Sequence, residues 1–546
     1  MFGSVHSGCS VVRSKLGRSG RYHRSLATGD ILHRPDRTLS MTKSHLEQAA
    51  SAAYQSALRV VASVCPEVAD QIVAELAAQK GNLKLIASEN FCSPAVQLAL
   101  GNWLTDKYAE GVPNRRFYAG CEHIDQIESL AARLACELFG ADHAYVQPHS
   151  GADANLVAFL AILMKRVEMP ALAAADLLAA NGALDAIKLQ RAPLDAWESV
   201  RAVFSQQRLL ALDFSSGGHL THGYRLNISA KLFETHTYKV EPDSGLIDYD
   251  KLDVQAQRVR PLILLAGFSA YPRKLDFARL REIADHSGAT LVVDMAHFAG
   301  LVAGKVFTGV FNPVPYADIV TSTTHKTLRG PRGGLILCRS DYAEYVDRGC
   351  PLVLGGPLPH VIAAKAVCFS EALRPEFQQY AAQIVSNSQA LARAIAGPTV
   401  KVLSGGTDNH LVLLDVSPSG LTGRQAEDAL RSCGITLNRN AIPGDTRSPL
   451  VTSGLRLGTA ALTTLGMREP EMEQVARAIG DVLSNARPSK ISSGDRAGQE
   501  SVTGFVLSAD VTTRVKRTVL ELLDRFPLYP FLDVAVLSAA AGAGSA

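Results

Sequence analysis

The sequence predicts an α/β protein built on a mostly parallel sheet, with a second, smaller α/β domain toward the C-terminus. Short apolar runs at 262–268, 290–295, 318–323 and 334–338 are separated by polar segments and by helical patterns such as 277–286. That alternation is the mark of strands joined by crossover helices. After about residue 370 the pattern changes to long helices around a few strands, for example 412–416. The chain has 546 residues, 47% apolar and 20% charged, enough to build two or more domains.

Taken in order, residues 1–29 carry Arg13, Lys15, Arg18, Arg21 and Arg24 and no acidic residue, the composition of an organellar transit peptide. They show no amphipathic face, which favours the alternative that 1–43 is a disordered leader or extension. Residues 44–80 read as helices, with Leu58, Val61, Val64, Ile72, Val73 and Leu76 at helical spacing, and open an arm expected over 44–107. From Ile124 an apolar set, Ile127, Leu130, Leu134 and Leu138, follows one helical face until Gly140, a left-handed C-cap. A strand then ends at Gln147. The large domain is expected over 108–370 and the small one, with a C-terminal extension, over 371–546. The polar stretch 489–504 reads as a loop or linker, and a last helix, 512–526, ends at Pro527.

The net charge of +3, with no basic stripe among aromatics, argues against nucleic acid as a partner. Nine cysteines without a CxxC pair suit reduced thiols in a cytoplasmic setting. No apolar run approaches the roughly 18 residues of a membrane helix.

Chemistry concentrates where the strands end, which is where α/β sheets bind ligands. Lys326 follows the 318–323 strand in the run STTHKTLRGPRGG. A lysine becomes nucleophilic when a dry pocket or cationic neighbours depress its pKa, and His325 and Arg332 stand close in sequence. Asp294 closes the 290–295 strand, where a carboxylate can hold the pyridinium nitrogen of pyridoxal 5′-phosphate (PLP) protonated or, equally, cap a helix. The turn HSGADAN at 149–155 leads from a strand into a helix, an arrangement whose free N–H groups suit a phosphate. Asp153 sits there as a repelling charge or as the helix cap. Gly355 and Gly356 offer a second phosphate contact or a plain turn. In SGGHLTHG, the glycines allow His219 to approach a ring face; a metal at His219 and His222 lacks further ligands nearby in sequence, so none is expected.

With these residues in view, the chain resembles serine hydroxymethyltransferase of a bacterial, chlamydia-type branch. The resemblance covers about 83–466 and rests on LIASENFCSPAV, TDKYAEG, RFYAGCEHID, QPHSGADAN, SGGHLTHG, AGFSAYPR, VDMAHFAGLVAG, TTHKTLRGPRGG, GGPLPHVIAAKA and SGLRLGTAALTTLG. It implies a fold-type-I PLP-dependent transferase that moves the serine hydroxymethyl carbon to tetrahydrofolate, giving glycine and 5,10-methylenetetrahydrofolate. It also implies a homodimer with the active site at the interface. On that resemblance Lys326 forms the Schiff base, Asp294 pairs with the pyridinium and His219 stacks on the ring. Ser150, Gly151, Ala152, Ser269 and His297 hold the phosphate and the ring oxygen, with Gly355 and Gly356 reaching a phosphate in the neighbouring subunit. Arg456 clamps the substrate carboxylate, and Ser88, Tyr118 and His325 complete that pocket. Glu110 transfers protons, with Tyr108 and Thr323 beside the chemistry, and Phe117, Phe214, Gly218, Leu220 and Asn440 line the folate side.

Three departures from the family pattern stand out: Ala152 and Asp153 in place of a serine and a glutamine, Phe214 in place of a leucine, and a long Ala-rich insertion at 165–209. The altered phosphate turn and the insertion leave as one rival a catalytically weakened homologue that acts as a binding protein; a folate-independent lyase such as a threonine aldolase is another, against which Glu110 and Asn440 argue.

Overall fold

The computed structural model describes residues 42–184 and 186–542. All but the two last residues of the expected leader therefore lie outside the described residues. Of two compact units, Met1–Ala53 and Tyr54–Ala546, the second holds the sheets and every site residue discussed below.

Helices Lys43–Ala62 and Pro66–Lys80 match the expected helical stretch. Leu58 and Val73 are buried, but Val64 and Ile72 are exposed. Helix α1 (Glu122–Phe139) ends at Gly140 in the left-handed conformation, φ 73°. Its buried stripe runs through Ile124, Glu128, Ala131, Leu134 and Leu138, whereas Leu130 faces solvent. A buried carboxylate occupies a place on the inner face where apolar spacing alone saw only aliphatics.

The central sheet has seven strands: β1 (His143–Tyr145), β2 (Arg208–Leu212), β3 (Glu234–Tyr238), β4 (Ile263–Gly267), β5 (Thr290–Asp294), β6 (Ile319–Thr323) and β7 (Gly334–Cys338). Their order across the sheet is β1-β7-β6-β5-β4-β2-β3, and every pairing is parallel except those of β7 with β1 and β6. Strands β4 to β7 are buried along their whole length, since the sheet is covered on both faces, and so they read as continuous apolar runs. β1 stops at Tyr145, two residues before the expected end, because the chain turns there toward helix α2 (Gly151–Leu163).

The insertion folds as a π-turn, Met164–Glu168, and helices Met169–Ala174, Ala186–Arg191 and Leu194–Phe204, with Leu172, Leu177 and Val200 buried in a small core of their own. Its last expected residues, 208 and 209, already belong to β2.

A four-stranded antiparallel sheet follows, in the order β8 (Lys401–Val402), β9 (Leu411–Asp415), β11 (Gly454–Gly458), β10 (Asn438–Asn440). It has a separate apolar core that includes Val412, Leu414, Leu455 and Ile479. Two expectations fail beyond it. The stretch 489–504 is no plain linker, because Arg487–Lys490 pairs antiparallel with Glu500–Val506. Backbone groups pair whether or not the side chains are apolar, so a hairpin with few apolar residues leaves little trace in hydropathy. The helix expected at 512–526 spans Ala509–Arg525 and is not the last, since Val534–Ala541 is also helical. Among the described residues no helix is long and apolar enough to cross a membrane.

Candidate active site

The carboxyl ends of β4, β5 and β6 bring together residues far apart in the chain. Lys326 lies just past β6, and its Nζ donates to Thr323 Oγ1 at 3.0 Å. Asn90, from the segment that carries Ser88, donates to the Lys326 carbonyl at 2.9 Å. Leu85 accepts from Gly458 N at the end of β11, which ties that segment to the strand of Arg456. Burial lowers the Lys326 amine to about 8 against the pull of Asp294, with Arg456 and Arg332 lowering it further. Of the two neighbours expected from sequence to depress this amine, Arg332 does so; His325 is itself held neutral, its pKa lowered to about 3 by burial and by Lys326 and Arg332.

Asp294 is buried at the end of β5. Its Oδ2 accepts from Asn155 Nδ2 at 2.9 Å and meets His222 Nε2 at 3.3 Å, and its Oδ1 accepts from Ala296 N at 3.0 Å. Burial alone would raise its pKa, but the contacts from His222 and Asn155 outweigh burial and hold it well below the usual carboxylate range. Asn155 is itself fixed by Thr321 and Thr221, and Thr221 Oγ1 meets His219 Nδ1 at 2.8 Å. One hydrogen-bonded chain thus orients both the carboxylate and the imidazole. Burial lowers His219 to about 4, so its ring is neutral. His219, His222 and Asp294 bring ligand atoms within 4.8 Å of one another; the third group that sequence spacing did not supply comes from another strand.

His219 reaches this position because the loop after β2 folds tightly. At Gly218 a Cβ would sit 2.0 Å from the Leu212 carbonyl oxygen, so a side chain there would push the loop off the sheet. Ser269 N donates to the Gly217 carbonyl in the same corner. Arg456, on β11, donates from Nη1 to the Ser269 carbonyl at 2.8 Å and from Nε to Asn438 Oδ1 at 3.1 Å. Burial draws its pKa down to about 10. His297 and His410 stack with ring centroids 5.5 Å apart, and burial pushes both well below the ordinary imidazole value.

The helix cap at α2 is Ser150, whose Oγ accepts from Asp153 N at 3.2 Å and donates to Asp153 Oδ2 at 3.0 Å. The cap is therefore Ser150 and not Asp153. Gly151 packs on Thr323, where an added Cβ would lie 2.8 Å from Cγ2, so the turn abuts the lysine loop; Ala152 is exposed.

The other expected residues make no hydrogen bond to Lys326. The hairpin of Gly111–Val112 and Arg115–Arg116 carries Glu110, whose carbonyl accepts from Phe117 N. Tyr108 and Tyr118 meet edge to face at 4.9 Å, and Tyr108 lies against Gly356, while Gly355 accepts from Cys350 Sγ. Tyr108, Phe117 and Tyr118 are largely exposed. Phe214 and Leu220 are exposed too, Phe214 packing on Tyr224 at 5.4 Å, and Asn440 sits opposite Gly454 on β10.

Arg116 anchors that hairpin in a buried network that single-residue reading did not find. It donates to Glu128 and Asp125, both at 2.8 Å, and to the carbonyls of Ala109 and Gly111, while Gln147 bridges Glu128 and Gly111. Arg116→Ala would leave Glu128 buried without its cation, so the variant should lose about 3–5 kcal/mol in chemical denaturation. A loss under about 1 kcal/mol would remove Arg116 from this role.

Comparison with known proteins supplies the family. The serine hydroxymethyltransferase family model matches residues 61–182 and 199–479, and the gap falls inside the insertion. The chain is 55% identical over 487 residues to a serine hydroxymethyltransferase of Salinispora tropica, covering 89% of this chain and 99% of that one. It is 54% identical over 487 residues to that of Treponema pallidum, covering 89% and 83%. To that of Chlamydia muridarum it is 48% identical over 489 residues, covering 89% and 96%. With a strand-end lysine, a buried ionised aspartate and a neutral histidine beside it on a mostly parallel α/β sheet, the chain belongs to the serine hydroxymethyltransferase family.

Proposed function

We propose that the Lys326 cluster holds PLP and carries out the family reaction, transfer of the serine hydroxymethyl carbon to tetrahydrofolate. The observation that carries this reading is the half-buried Lys326 and the buried Asp294 at adjacent strand ends, one an amine lowered to about 8 and the other a firmly ionised carboxylate. The residues fit the cofactor: Asp294 offers charge to a pyridinium, His219 a neutral ring, and the amides of Gly151 and Ala152 the opening of a helix. When bound, PLP supplies an electron sink for the carbanion left as the Cα–Cβ bond of serine breaks.

Within that frame, Arg456 takes the substrate carboxylate, with Ser88, Tyr118 and His325 around it. His297 and Ser269 serve the ring oxygen and phosphate side. Thr323 holds the Lys326 amine, which receives and returns a proton. Glu110 and Tyr108 are assigned proton transfer at the hydroxymethyl oxygen, and Phe117, Phe214, Gly218, Leu220 and Asn440 the pterin side. We assign a homodimer in which the exposed hairpin around Phe117, together with Gly355 and Gly356, completes the site of a second copy. What supports it is an exposed apolar surface that includes Trp103, 82% accessible, and Phe117, 68% accessible. We retain the divisions 44–107, 108–370 and 371–546, and a cytoplasmic setting, which bacterial relatives support.

The direct test is conversion of serine to glycine by purified protein supplied with PLP, with and without tetrahydrofolate. Folate-dependent glycine formation is expected; turnover indifferent to folate would favour a simple lyase, and no turnover would sink the reading. The depressed Lys326 amine also predicts the pH dependence of cofactor capture. With a pKa of about 8, about a tenth of the amine is neutral at pH 7, against about 0.03% for an ordinary lysine. The rate of PLP capture should therefore rise with pH up to about 8 and then level off. Stopped-flow absorbance that still climbs steeply beyond pH 9 would contradict this.

A further inference from the structure

Lys365 is the most deeply buried lysine of the site region, 1% exposed, on helix α3 (Pro359–Ala372). Its three ammonium protons go to three main-chain carbonyls, those of Val146 at 2.6 Å, Gly334 at 2.8 Å and Pro148 at 3.0 Å. An ammonium withdrawn this far from water is costly unless its donors are satisfied, and here backbone oxygens alone satisfy them. Burial draws its pKa down to about 7, while Glu128 and Asp153 pull it up.

The three carbonyls are not scattered. Val146 and Pro148 lead from β1 into the turn that ends at Ser150, and Gly334 opens β7. Gly334 N donates back to the Pro148 carbonyl, and a Cβ on Gly334 would meet the Ser150 carbonyl oxygen at 2.2 Å. A Cβ on Gly333 would sit 2.5 Å from Lys365 Cε. Ammonium, turn and strand are in mutual contact, so none moves without disturbing the others. The same turn carries Asp153, whose carboxylate is tied to the Ser150 hydroxyl and adds negative charge beside a phosphate position.

We propose that Lys365 is a positioning residue for the phosphate-side turn. It pins Val146, Pro148 and Gly334 so that the opening amides of α2 are held for an anion, and its charge offsets Asp153. The inference rests on the PLP reading above.

The test compares PLP, pyridoxal and inorganic phosphate binding to apoprotein by fluorescence titration, in the wild type, Lys365→Met, Asp153→Asn and the double variant. Lys365→Met should weaken PLP and inorganic phosphate about tenfold or more and leave pyridoxal within about twofold, since pyridoxal lacks the phosphate. Asp153→Asn should tighten PLP, and the double variant should recover part of the Lys365→Met loss. Equal losses for PLP and pyridoxal would mean a merely structural role and overturn the proposal, as would an unchanged PLP affinity. An Asp153→Asn variant that binds PLP like the wild type would overturn the charge offset. Should Lys365→Met not fold, Gly333→Ala displaces the ammonium without deleting it and carries the same expectation. Wild-type protein that binds neither PLP nor pyridoxal would instead overturn the underlying cofactor reading.

Discussion

Lys326→Ala is expected to bind PLP and serine and to complete at most one slow turnover, with steady-state glycine formation reduced on the order of 10²–10⁴-fold. The reason lies in the position of the amine. It sits 3.0 Å from Thr323 Oγ1 at the end of β6, where burial leaves it able to exchange a proton near neutral pH. On the function proposed above, alanine removes both the amine that would hold the cofactor and a group that would exchange a proton with the substrate. Thermal stability should hold or rise, because the variant deletes a desolvated cation that Arg456 and Arg332 already disfavour. Multiple-turnover kinetics measured beside a single-turnover burst decide the matter. Wild-type steady-state rates in this variant would remove Lys326 from the chemistry.

Arg456→Ala should act on binding. The guanidinium is fixed on one side by the Ser269 carbonyl and Asn438, and it forms no ion pair with a described carboxylate, which leaves it available to an anion. Truncating one partner of a buried charge pair costs about 2–5 kcal/mol, so the KM for serine should rise roughly 30- to 5000-fold. Arg456→Lys should recover little of it. A lysine amine cannot keep the Ser269 and Asn438 contacts while presenting a planar pair of donors to the carboxylate. An Arg456→Ala enzyme with an unchanged KM would place the carboxylate elsewhere.

The two residues differ in how legible they were. Lys326 stands one turn beyond a strand whose apolar run announces it, and Asp294 closes a strand of the same kind, so local sequence places both at the ligand edge. Arg456 lies in SGLRLGTA, a strand like many others, and only the family resemblance singled it out. The helical arm, α1 with its glycine cap, and the strands from β4 to β7 were equally plain, since each depends on spacing within a few residues. The hairpin at 487–506 was missed because what marks it is backbone pairing between distant residues, Arg487 with Val506, Pro488 with Phe505 and Lys490 with Glu500, which no local apolar pattern announces.

Sequence alone therefore determined that Asp294 and Lys326 stand at the ends of two strands and that the turn at 149–155 joins a strand to a helix; the strand Arg208–Leu212 that leads to His219 it read partly as insertion. Only the tertiary structure decided what supports them. Asn155 reaches Asp294 across 139 positions, Lys365 reaches Val146 across 219, and Arg116 gathers Asp125, Glu128 and two carbonyls beneath the hairpin of Glu110. These contacts arise from how buried polar groups find partners once the sheet has assembled, and a local pattern carries no record of that pairing. Asp153, a bare repelling charge when read in sequence, proves to be bound to the Ser150 hydroxyl and to lie within the influence of a buried ammonium.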